Sequence, residues 1–222
     1  MDAPMIYELQ KPKQTEAGES YPAIFVLHGI GSNEQNMLQL VEGLEDRFYI
    51  FSIRGPLRQP PGFAYFTIEG YGKPHQDVFD HAIGQLTGFI DYATERYPVD
   101  QDRLYITGFS QGAILAMTLG LTLGSGIRGI AAFSGYIPDF VKEQYPIRPV
   151  DQLSVFISHG ESDNVLPYGW GLESRDFFEG QGAQVAFRHY PESHTVSAEN
   201  KQAFTEWVLE DLRKPKNKEK EE

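Results

Sequence analysis

The stretch of sequence that decides the fold is Tyr105–Ile114, which reads YITGFSQGAI. Its first residues are β-branched or aromatic and favour a strand, whereas the residues after Gly112 are apolar almost without interruption and favour a buried helix. Ser110 stands between Gly108 and Gly112 at the junction. A G-x-S-x-G pattern at such a junction predicts a sharp turn that exposes the serine hydroxyl as a nucleophile. The alternative interpretation is an ordinary strand-to-helix turn that contains glycine.

Short apolar runs alternate with segments of helical periodicity along the chain. Most of the runs are apolar almost throughout, as in strands covered on both faces, and helices between successive strands are typical of a parallel sheet. The pattern predicts the α/β class: a mostly parallel central sheet with helices on both faces. Strands are predicted at Ile24–Leu27, Phe48–Ile53, Leu104–Thr107, Gly129–Phe133, Val155–Ser158, Val185–Tyr190 and, early in the chain, around Met5–Leu9. Helices are predicted at Asn33–Asp46, Asp77–Tyr97, Ala113–Leu123, Tyr168–Glu179 and Ser197–Leu212, with Ser197 as N-cap of the last.

The composition limits the domain organisation and the partners. The 222 residues carry a formal net charge of −12 and no cysteine. The charge argues against nucleic acid and anionic membrane surfaces as partners, and the lack of cysteine excludes thiolate catalysis, disulfides and thiolate metal sites. Since the start has no apolar leader and no run reaches membrane-spanning length, we expect no stable membrane insertion and a cytoplasmic location. We predict a single domain over residues 1–213 and a disordered charged tail over residues 214–222.

A nucleophilic serine needs a base, and the base needs an orienting acid. In α/β-hydrolases the order along the chain is nucleophile, acid, base, and three histidines follow Ser110. His194 lies in a loop after the last predicted strand, where parallel sheets place their sites, whereas His189 lies within that strand. We therefore predict His194 as the base and expect His159 and His189 to matter mainly for stability. Alone, His194 would be an ordinary surface-loop histidine.

The acid is predicted in the segment HGESDNVLP, which follows the strand Val155–Ser158 and contains Glu161 and Asp163. Asp163 is favoured because it lies further into the loop, whereas Glu161 lies next to the strand end. Short aspartate side chains also suit turns, so a turn-capping role for Asp163 is the alternative.

An oxyanion requires two backbone N–H donors that are already in place. One is predicted to be the amide of Gln111, just after the serine. The second is predicted to be the amide of Ile30 in the segment VLHGIGSNEQ, where Gly29 and Gly31 let the backbone turn its amides inward. The alternative for this segment is a glycine-rich turn into a helix, and His28 is expected to be structural rather than catalytic.

The long loop Gly55–Gln76 is predicted to take part in substrate binding, because such loops in compact domains are usually functional or mobile. Its aromatic residues Phe63, Tyr65 and Phe66 are the substrate-binding candidates, and at least one is expected to line an acyl pocket. The alternative is that they hold the loop on the domain surface. The stretch Ser134–Leu153, where caps are often inserted, is only about twenty residues long, so no large cap is expected.

Four segments, LHGIGSNEQN, GFSQGA, HGESDNVLP and PESHTV, together resemble the carboxylesterase/phospholipase family of α/β-hydrolases, which includes the acyl-protein thioesterases. The likeness extends from about Ala23 to Leu212. It implies an α/β-hydrolase fold, no metal and no organic cofactor, and carboxylic esters or thioesters of small or lipid acyl groups as substrates. The roles implied are Ser110 as nucleophile, Asp163 as acid, His194 as base, and Ile30 and Gln111 as oxyanion-hole amides.

Two departures from the family pattern bear on the acyl and alcohol preference. Ser32 stands where many relatives carry an acidic residue, and Phe63–Glu69 lacks the Trp–Phe or Trp–Tyr pair that many relatives have there. We expect a serine hydrolase that cleaves small-molecule esters of small to medium acyl groups through an acyl-enzyme. Lysophospholipase or acyl-protein thioesterase activity is the alternative, and a non-catalytic binding protein with the hydrolase fold is the alternative of another class. A homodimer is left open.

Overall fold

The computed structural model describes residues 3–215, so the predicted tail lies, apart from its first two residues, outside the described residues. A seven-stranded sheet forms the centre. Its strands are β1 (Tyr7–Gln10), β2 (Tyr21–Leu27), β3 (Tyr49–Ile53), β4 (Val99–Phe109), β5 (Gly129–Phe133), β6 (Ser154–Gly160) and β7 (Gln184–Tyr190). They lie in the order β1-β3-β2-β4-β5-β6-β7. Only β1 runs antiparallel to its neighbour, which confirms the predicted mostly parallel sheet.

Helices cover both faces of the sheet, as the apolar character of the strands predicts. They are α1 (Glu34–Met37), α2 (Gln76–Arg96), α3 (Gln111–Leu123), α4 (Asp139–Gln144), α5 (Tyr168–Gly180) and α6 (Ala198–Arg213). The alternation of side chains along β2 divides the core into two layers. Phe25 and Leu27 pack with α2, α3 and α5 on one face, whereas Ile24 and Val26 pack with α1 and α6 on the other.

The first predicted helix is shorter than the sequence pattern indicates. Asn33 caps α1 by accepting hydrogen bonds from the amides of Gln35 and Asn36, and a 3₁₀ turn, Leu38–Val41, continues the helix. The helix ends there because Gly43 adopts a φ of 90°, which reverses the chain. The other predicted helices are confirmed within two residues at each end, and Ser197 caps α6 through a bond from the Asn200 amide, as predicted.

The loop Gly55–Gln76 contains more regular structure than was predicted. Two small antiparallel hairpins occupy it, Leu57–Gln59 with Gly62–Ala64 and Ile68–Gly70 with Lys73–Pro74. The stretch between β5 and β6 contains only the six-residue helix α4, so the fold has no large cap. None of the helices between residues 3 and 215 meets the length and the apolarity that a bilayer crossing requires.

The turn from β4 into α3 brings two backbone segments into contact. A Cβ atom on Gly112 would lie 2.2 Å from the carbonyl oxygen of Leu27 at the end of β2, and one on Gly108 would lie 2.4 Å from the carbonyl carbon of Gly112. No side chain fits in either place, which gives the glycines of the G-x-S-x-G pattern their steric reason.

We expect Gly112→Ala to lower the free energy of unfolding by about 1–3 kcal/mol, because β2 and α3 must separate to admit the methyl group. Gly88→Ala is the matched control. A Cβ on Gly88 meets no atom within 4 Å, and alanine favours the middle of α2, so stability should rise by about 0.5–1 kcal/mol. Urea unfolding curves of the two variants check this, and equal shifts in the same direction would contradict the steric explanation.

Candidate active site

Ser110 lies in the turn between β4 and α3 in a strained backbone conformation. Its φ is 54° and its ψ is −116°, a combination that residues with side chains rarely adopt. Its amide donates to the carbonyl oxygen of Phe133 on β5 at 2.9 Å, and α3 begins at the next residue. The hydroxyl is thereby presented at the positive end of a buried helix, at the edge where the parallel strands end.

The structure brings Ser110, His194 and Asp163 together in one hydrogen-bonded chain. The Nε2 atom of His194 lies 2.9 Å from Ser110 Oγ, and its Nδ1 atom lies 2.7 Å from Asp163 Oδ2. Since a carboxylate only accepts hydrogen bonds, Nδ1 carries the ring proton, and Nε2 is free to accept the serine hydroxyl. The ring of Phe109 packs against His194 with the centroids 4.8 Å apart, which holds the imidazole in place.

Asp163 is held as a carboxylate although its side chain is fully buried. Burial alone would raise the pKa of Asp163, but hydrogen bonds from His194 and from the amides of Leu166 and Val165 lower it below its ordinary value. Both amides donate to Oδ1 at 2.9 Å, so Asp163 forms the tight turn that was the alternative interpretation and also contacts His194.

The other candidate acid and histidines make no hydrogen bond to Ser110 in the described residues, although His159 Nε2 lies 3.5 Å from Asp163 Oδ2. The carboxylate of Glu161 pairs with Nδ1 of His189 at 2.6 Å, and both side chains are about half exposed. His159 is completely buried, and its Nε2 atom donates to the carbonyl oxygen of Leu166 at 2.8 Å. Its Nδ1 atom has no hydrogen-bond partner in the described part of the chain, and burial lowers its pKa. His159 therefore supports the Asp163 loop as a neutral ring.

The two predicted oxyanion donors lie beside Ser110. Gly29, Ile30, Ser110 and Gln111 line one cavity together. Within residues 3–215, the amides of Ile30 and Gln111 donate to no other group, whereas the neighbouring amide of Gly31 donates to the carbonyl oxygen of Phe63 at 2.8 Å. Two backbone amides without another acceptor in the described residues therefore belong to residues that line the cavity next to the serine.

Of the three aromatic candidates, the structure places one in the cavity wall. Phe66 lines the cavity beside Ser110. Tyr65 is buried, and its hydroxyl donates to the carbonyl oxygen of Ile53 at the end of β3 at 2.6 Å. Phe63 lies outside the cavity, where the Arg54 guanidinium stacks on its ring at 4.6 Å. The substrate-binding proposal is therefore narrowed to Phe66.

The Gln111 side chain fixes this loop from beneath, a role that the sequence did not suggest. Its Oε1 atom accepts from the Tyr65 amide at 2.6 Å, and its Nε2 atom donates to the Phe66 carbonyl oxygen at 2.8 Å. Gln111 thus lines the cavity itself and also binds the backbone of Tyr65 and Phe66 in the neighbouring loop.

The cavity beside Ser110 is apolar and measures about 220 Å³. Ile30 and Tyr71 also line the cavity, and both are exposed to solvent, Ile30 at 42% and Tyr71 at 63%. Sequence reasoning missed most of the wall, although two signals were available. The first is that Ile114 lies one helical turn after Ser110 on α3. The second is that Val165 and Leu166, whose amides bind Asp163, follow Asp163 closely in the sequence. The inner wall consists of Phe66, Ile68, Ile114, Tyr136, Val165 and Leu166.

A second cavity, of about 360 Å³, is also lined by His194. The two cavities share only Phe109 and His194 among their lining residues. The second is more polar, since side chains of α1, of the turn after it and of the start of α6 face it. Its polar lining comprises Asn36, Gln39, Glu42, Thr195, Ser197 and Lys201.

The sheet topology and the strained serine turn define an α/β-hydrolase. The sequence matches the profile of the phospholipase/carboxylesterase family over residues 10–209, and the chain belongs to this family. The resemblance and the enzyme class predicted from the sequence, a hydrolase of esters or thioesters, are thereby confirmed.

Relatives in this family cover most of the chain. Acyl-protein thioesterase 1 of Neurospora crassa is 29% identical over 180 residues, which are 73% of this chain and 69% of that protein. Acyl-protein thioesterase 1 of Yarrowia lipolytica is 28% identical over 210 residues, which are 86% of this chain and 92% of that protein. The crystal structure of the Bacillus cereus carboxylesterase is similar in fold, with a TM-score of 0.83 over 93% of this chain and 94% of the other at 23% identity.

We expect stability to fall as the pH drops below about 6.5. Burial lowers the pKa of His28 and of His159 in the folded state, while the unfolded chain titrates near the ordinary value of about 6.5. Just below that pH the unfolded state therefore binds more protons than the folded state. Each histidine then costs up to about 1.4 kcal/mol of stability per pH unit, until its folded pKa is reached.

Urea unfolding of the wild type and of His159→Gln, at about pH 7 and about pH 5.5, measures this pH dependence. The variant should lose less stability on acidification than the wild type, because one of the two buried rings no longer titrates. His81→Asn, on the exposed side of α2, is the matched control and should behave like the wild type. An unchanged pH dependence in His159→Gln would contradict the assignment of a buried neutral ring.

Proposed function

We propose that the protein is a serine hydrolase that cleaves carboxylic esters of small to medium acyl groups through an acyl-enzyme. The observation that carries the proposal is the unbroken chain of hydrogen bonds from Asp163 through His194 to Ser110, which ends at an apolar cavity next to two unpaired backbone amides. No other part of the described chain combines a nucleophile, a base and a place for a substrate in this way.

Acylation follows from this geometry. Nε2 of His194 takes the hydroxyl proton of Ser110 while Oγ attacks the ester carbonyl, and the carboxylate of Asp163 stabilises the imidazolium that forms. The negative charge that develops on the carbonyl oxygen is received by the amides of Ile30 and Gln111. His194 then transfers the proton to the leaving alcohol or thiol, and the C–O or C–S bond breaks.

Deacylation repeats these steps with water. Nε2 of His194 takes a proton from a water molecule, the hydroxide attacks the Ser110 ester, and the same amides hold the second oxyanion. The proton returns to Oγ as the carboxylic acid leaves. The neutral side chains of the cavity wall favour the release of an anionic product, since a buried carboxylate without a partner is costly.

The apolar cavity supports the acyl preference. A volume of about 220 Å³ encloses a short to medium chain, and Phe66 closes it from the side of the loop. The polar cavity beyond His194 supports a polar leaving group, because the leaving atom must lie next to Nε2 to receive its proton. We place the activity in the cytoplasm, on a small-molecule ester.

Two alternatives differ from this proposal in their substrates or in their class. The relatives named as acyl-protein thioesterases favour a thioesterase, and comparing rates on a short ester, a long ester and a thioester separates the possibilities. A non-catalytic binding protein is disfavoured because the three side chains of the triad are hydrogen-bonded to one another.

We expect Ser110→Ala to abolish ester hydrolysis, with a loss of the order of 10⁶ in kcat, because no other group in the site can form the acyl-enzyme. His194→Ala should be comparably damaging, since Oγ loses its proton acceptor. Steady-state rates on a short activated ester measure both.

His189→Ala is the matched control for the base, because His189 pairs with Glu161 at the protein surface. It should retain most of the wild-type kcat. Hydrolysis that survives Ser110→Ala, or that is lost in folded His189→Ala and kept in His194→Ala, would overturn the assignment.

We expect kcat/KM to rise about fourfold for each CH₂ added to the acyl chain, as each buried CH₂ contributes about 0.8 kcal/mol, and to level off or fall once the cavity is full. Phe66→Ala should move this limit to longer chains, because Phe66 forms part of the wall. A series of esters with one alcohol and graded acyl length measures the profile.

Phe63→Ala is the control for the acyl series, because its ring lies outside the cavity against Arg54. It should leave the position of the limit unchanged. If both variants lower every rate by the same factor, the loop is a structural element and does not set the acyl preference.

A further inference from the structure

His28 is a completely buried residue at the end of β2, and the structure fixes the position of its ring proton. Nε2 lies 2.9 Å from the amide nitrogen of Gly55, and Nδ1 lies 2.7 Å from the carbonyl oxygen of Gly29. A backbone amide can only donate and a carbonyl oxygen can only accept. Nε2 therefore accepts, and the proton is on Nδ1, which donates to the Gly29 carbonyl.

This hydrogen bond acts on the peptide group that contains the proposed oxyanion donor. The Gly29 carbonyl and the Ile30 amide belong to one planar trans peptide, in which C=O and N–H point in opposite directions. Holding the Gly29 oxygen against His28 therefore turns the Ile30 N–H away from His28. It turns the N–H towards the cavity that Gly29 and Ile30 line together with Ser110. The Ser32 amide donates to the same oxygen at 3.1 Å, as a second and longer hydrogen bond.

The peptide needs such an anchor because of its glycine. A Cβ on Gly29 would lie 3.3 Å from Ser110 Cβ and 3.2 Å from the Phe109 ring, so a larger residue would crowd the site. Glycine tolerates many backbone conformations and does not fix the orientation of the peptide plane by itself. The side chain of the preceding residue supplies the missing constraint.

The His28 ring is itself held in place. It packs on the ring of Tyr65 with the centroids 4.7 Å apart, and the Tyr65 hydroxyl donates to the Ile53 carbonyl oxygen at 2.6 Å. Burial lowers the pKa of His28, while Glu34 and Arg54 act on it in opposite directions. The ring is thus held by contacts on its face and at both nitrogens, and burial favours its neutral form, as an anchor for a catalytic amide requires.

We infer that His28 is a positioning residue of the oxyanion hole, which orients the Ile30 N–H by holding the Gly29 carbonyl oxygen. The inference rests on the proposed function. His28 touches neither substrate nor Ser110, and its effect is confined to the orientation of one donor. Loss of a whole oxyanion-hole donor costs about 10²–10³ in kcat, so loss of its anchor should cost less.

Two substitutions separate the contributions of the two ring nitrogens of His28. In H28N the side-chain amide nitrogen takes the place of Nδ1 and keeps the donation to Gly29. In H28Q the amide oxygen takes the place of Nε2 and keeps the acceptance from Gly55, but the donor to Gly29 is lost. We expect H28Q to lower kcat on a short ester about 10- to 100-fold with KM within about twofold, and H28N to stay within about threefold of the wild type.

A boronic acid that forms a tetrahedral adduct on Ser110 supplies the second measurement, because one boronate oxygen occupies the oxyanion hole. Its affinity should fall in H28Q by about the same factor as kcat and stay close to the wild-type value in H28N. Boronate binding requires no turnover, so it tests His28 even if the wild type fails to hydrolyse esters. That failure would contradict the proposed function instead.

Equal losses in the two variants, a raised KM with unchanged kcat, or a loss in H28N alone would overturn the inference and leave His28 a packing residue. Urea unfolding shows whether each variant is folded. If H28Q does not fold, nitrogen NMR of the wild-type His28 ring decides: a neutral ring with the proton on Nδ1 supports the inference, and a proton on Nε2 overturns it.

Discussion

The candidate active site depends on one backbone constraint, the positive φ of Ser110. A residue with a side chain stays in that conformation only when its surroundings leave no alternative. Here two contacts prevent the turn from relaxing to another conformation. Gly112 packs against the Leu27 carbonyl, and the Ser110 amide donates to the Phe133 carbonyl oxygen. The strain is offset by the burial of α3 between β4 and its neighbours in the core. Ser110, the proposed nucleophile, is therefore held by the central sheet itself, and we expect a change that separates β2 from α3 to act on stability and on the proposed catalysis together.

The parallel sheet explains why residues far apart in sequence meet at the serine. The carboxyl ends of β2, β4, β6 and β7 reach the same edge, and each is followed by a loop with a different part of the proposed chemistry. The loop after β2 supplies Ile30, the turn after β4 supplies Ser110, and the loops after β6 and β7 supply Asp163 and His194. In the proposed mechanism, this division leaves the loop Gly55–Gln76 to shape the acyl cavity, since its residue Phe66 lines the cavity and makes no hydrogen bond to the triad.

The sequence predicted the parts of this arrangement that depend on local physics. Each strand of the sheet overlaps a run predicted from the sequence, although β2 begins at Tyr21 and β4 at Val99, earlier than predicted, and the glycine spacing around Ser110 predicted the turn. The cavity wall was not predictable in the same way. Phe66 faces the cavity because the Gln111 side chain, 45 residues further along, binds its carbonyl group, whereas Phe63 turns to Arg54. The early end of the helix after Asn33 likewise follows from the positive φ of Gly43. The spacing of apolar residues carries no information about that backbone angle.

The histidines show how environment decides function in this protein. His28 and His159 are fully buried, each donates one hydrogen bond to a carbonyl oxygen, and burial lowers the pKa of each, so both remain neutral. A second proton on His28 would have to face the Gly55 amide, which already donates to that nitrogen. His194 differs in that its Nδ1 meets an ionised carboxylate, which stabilises an imidazolium when Nε2 takes a proton. In the proposed mechanism, proton transfer is thereby confined to the histidine beside the serine, whereas His28 is proposed to act as an uncharged donor that holds a backbone peptide in place.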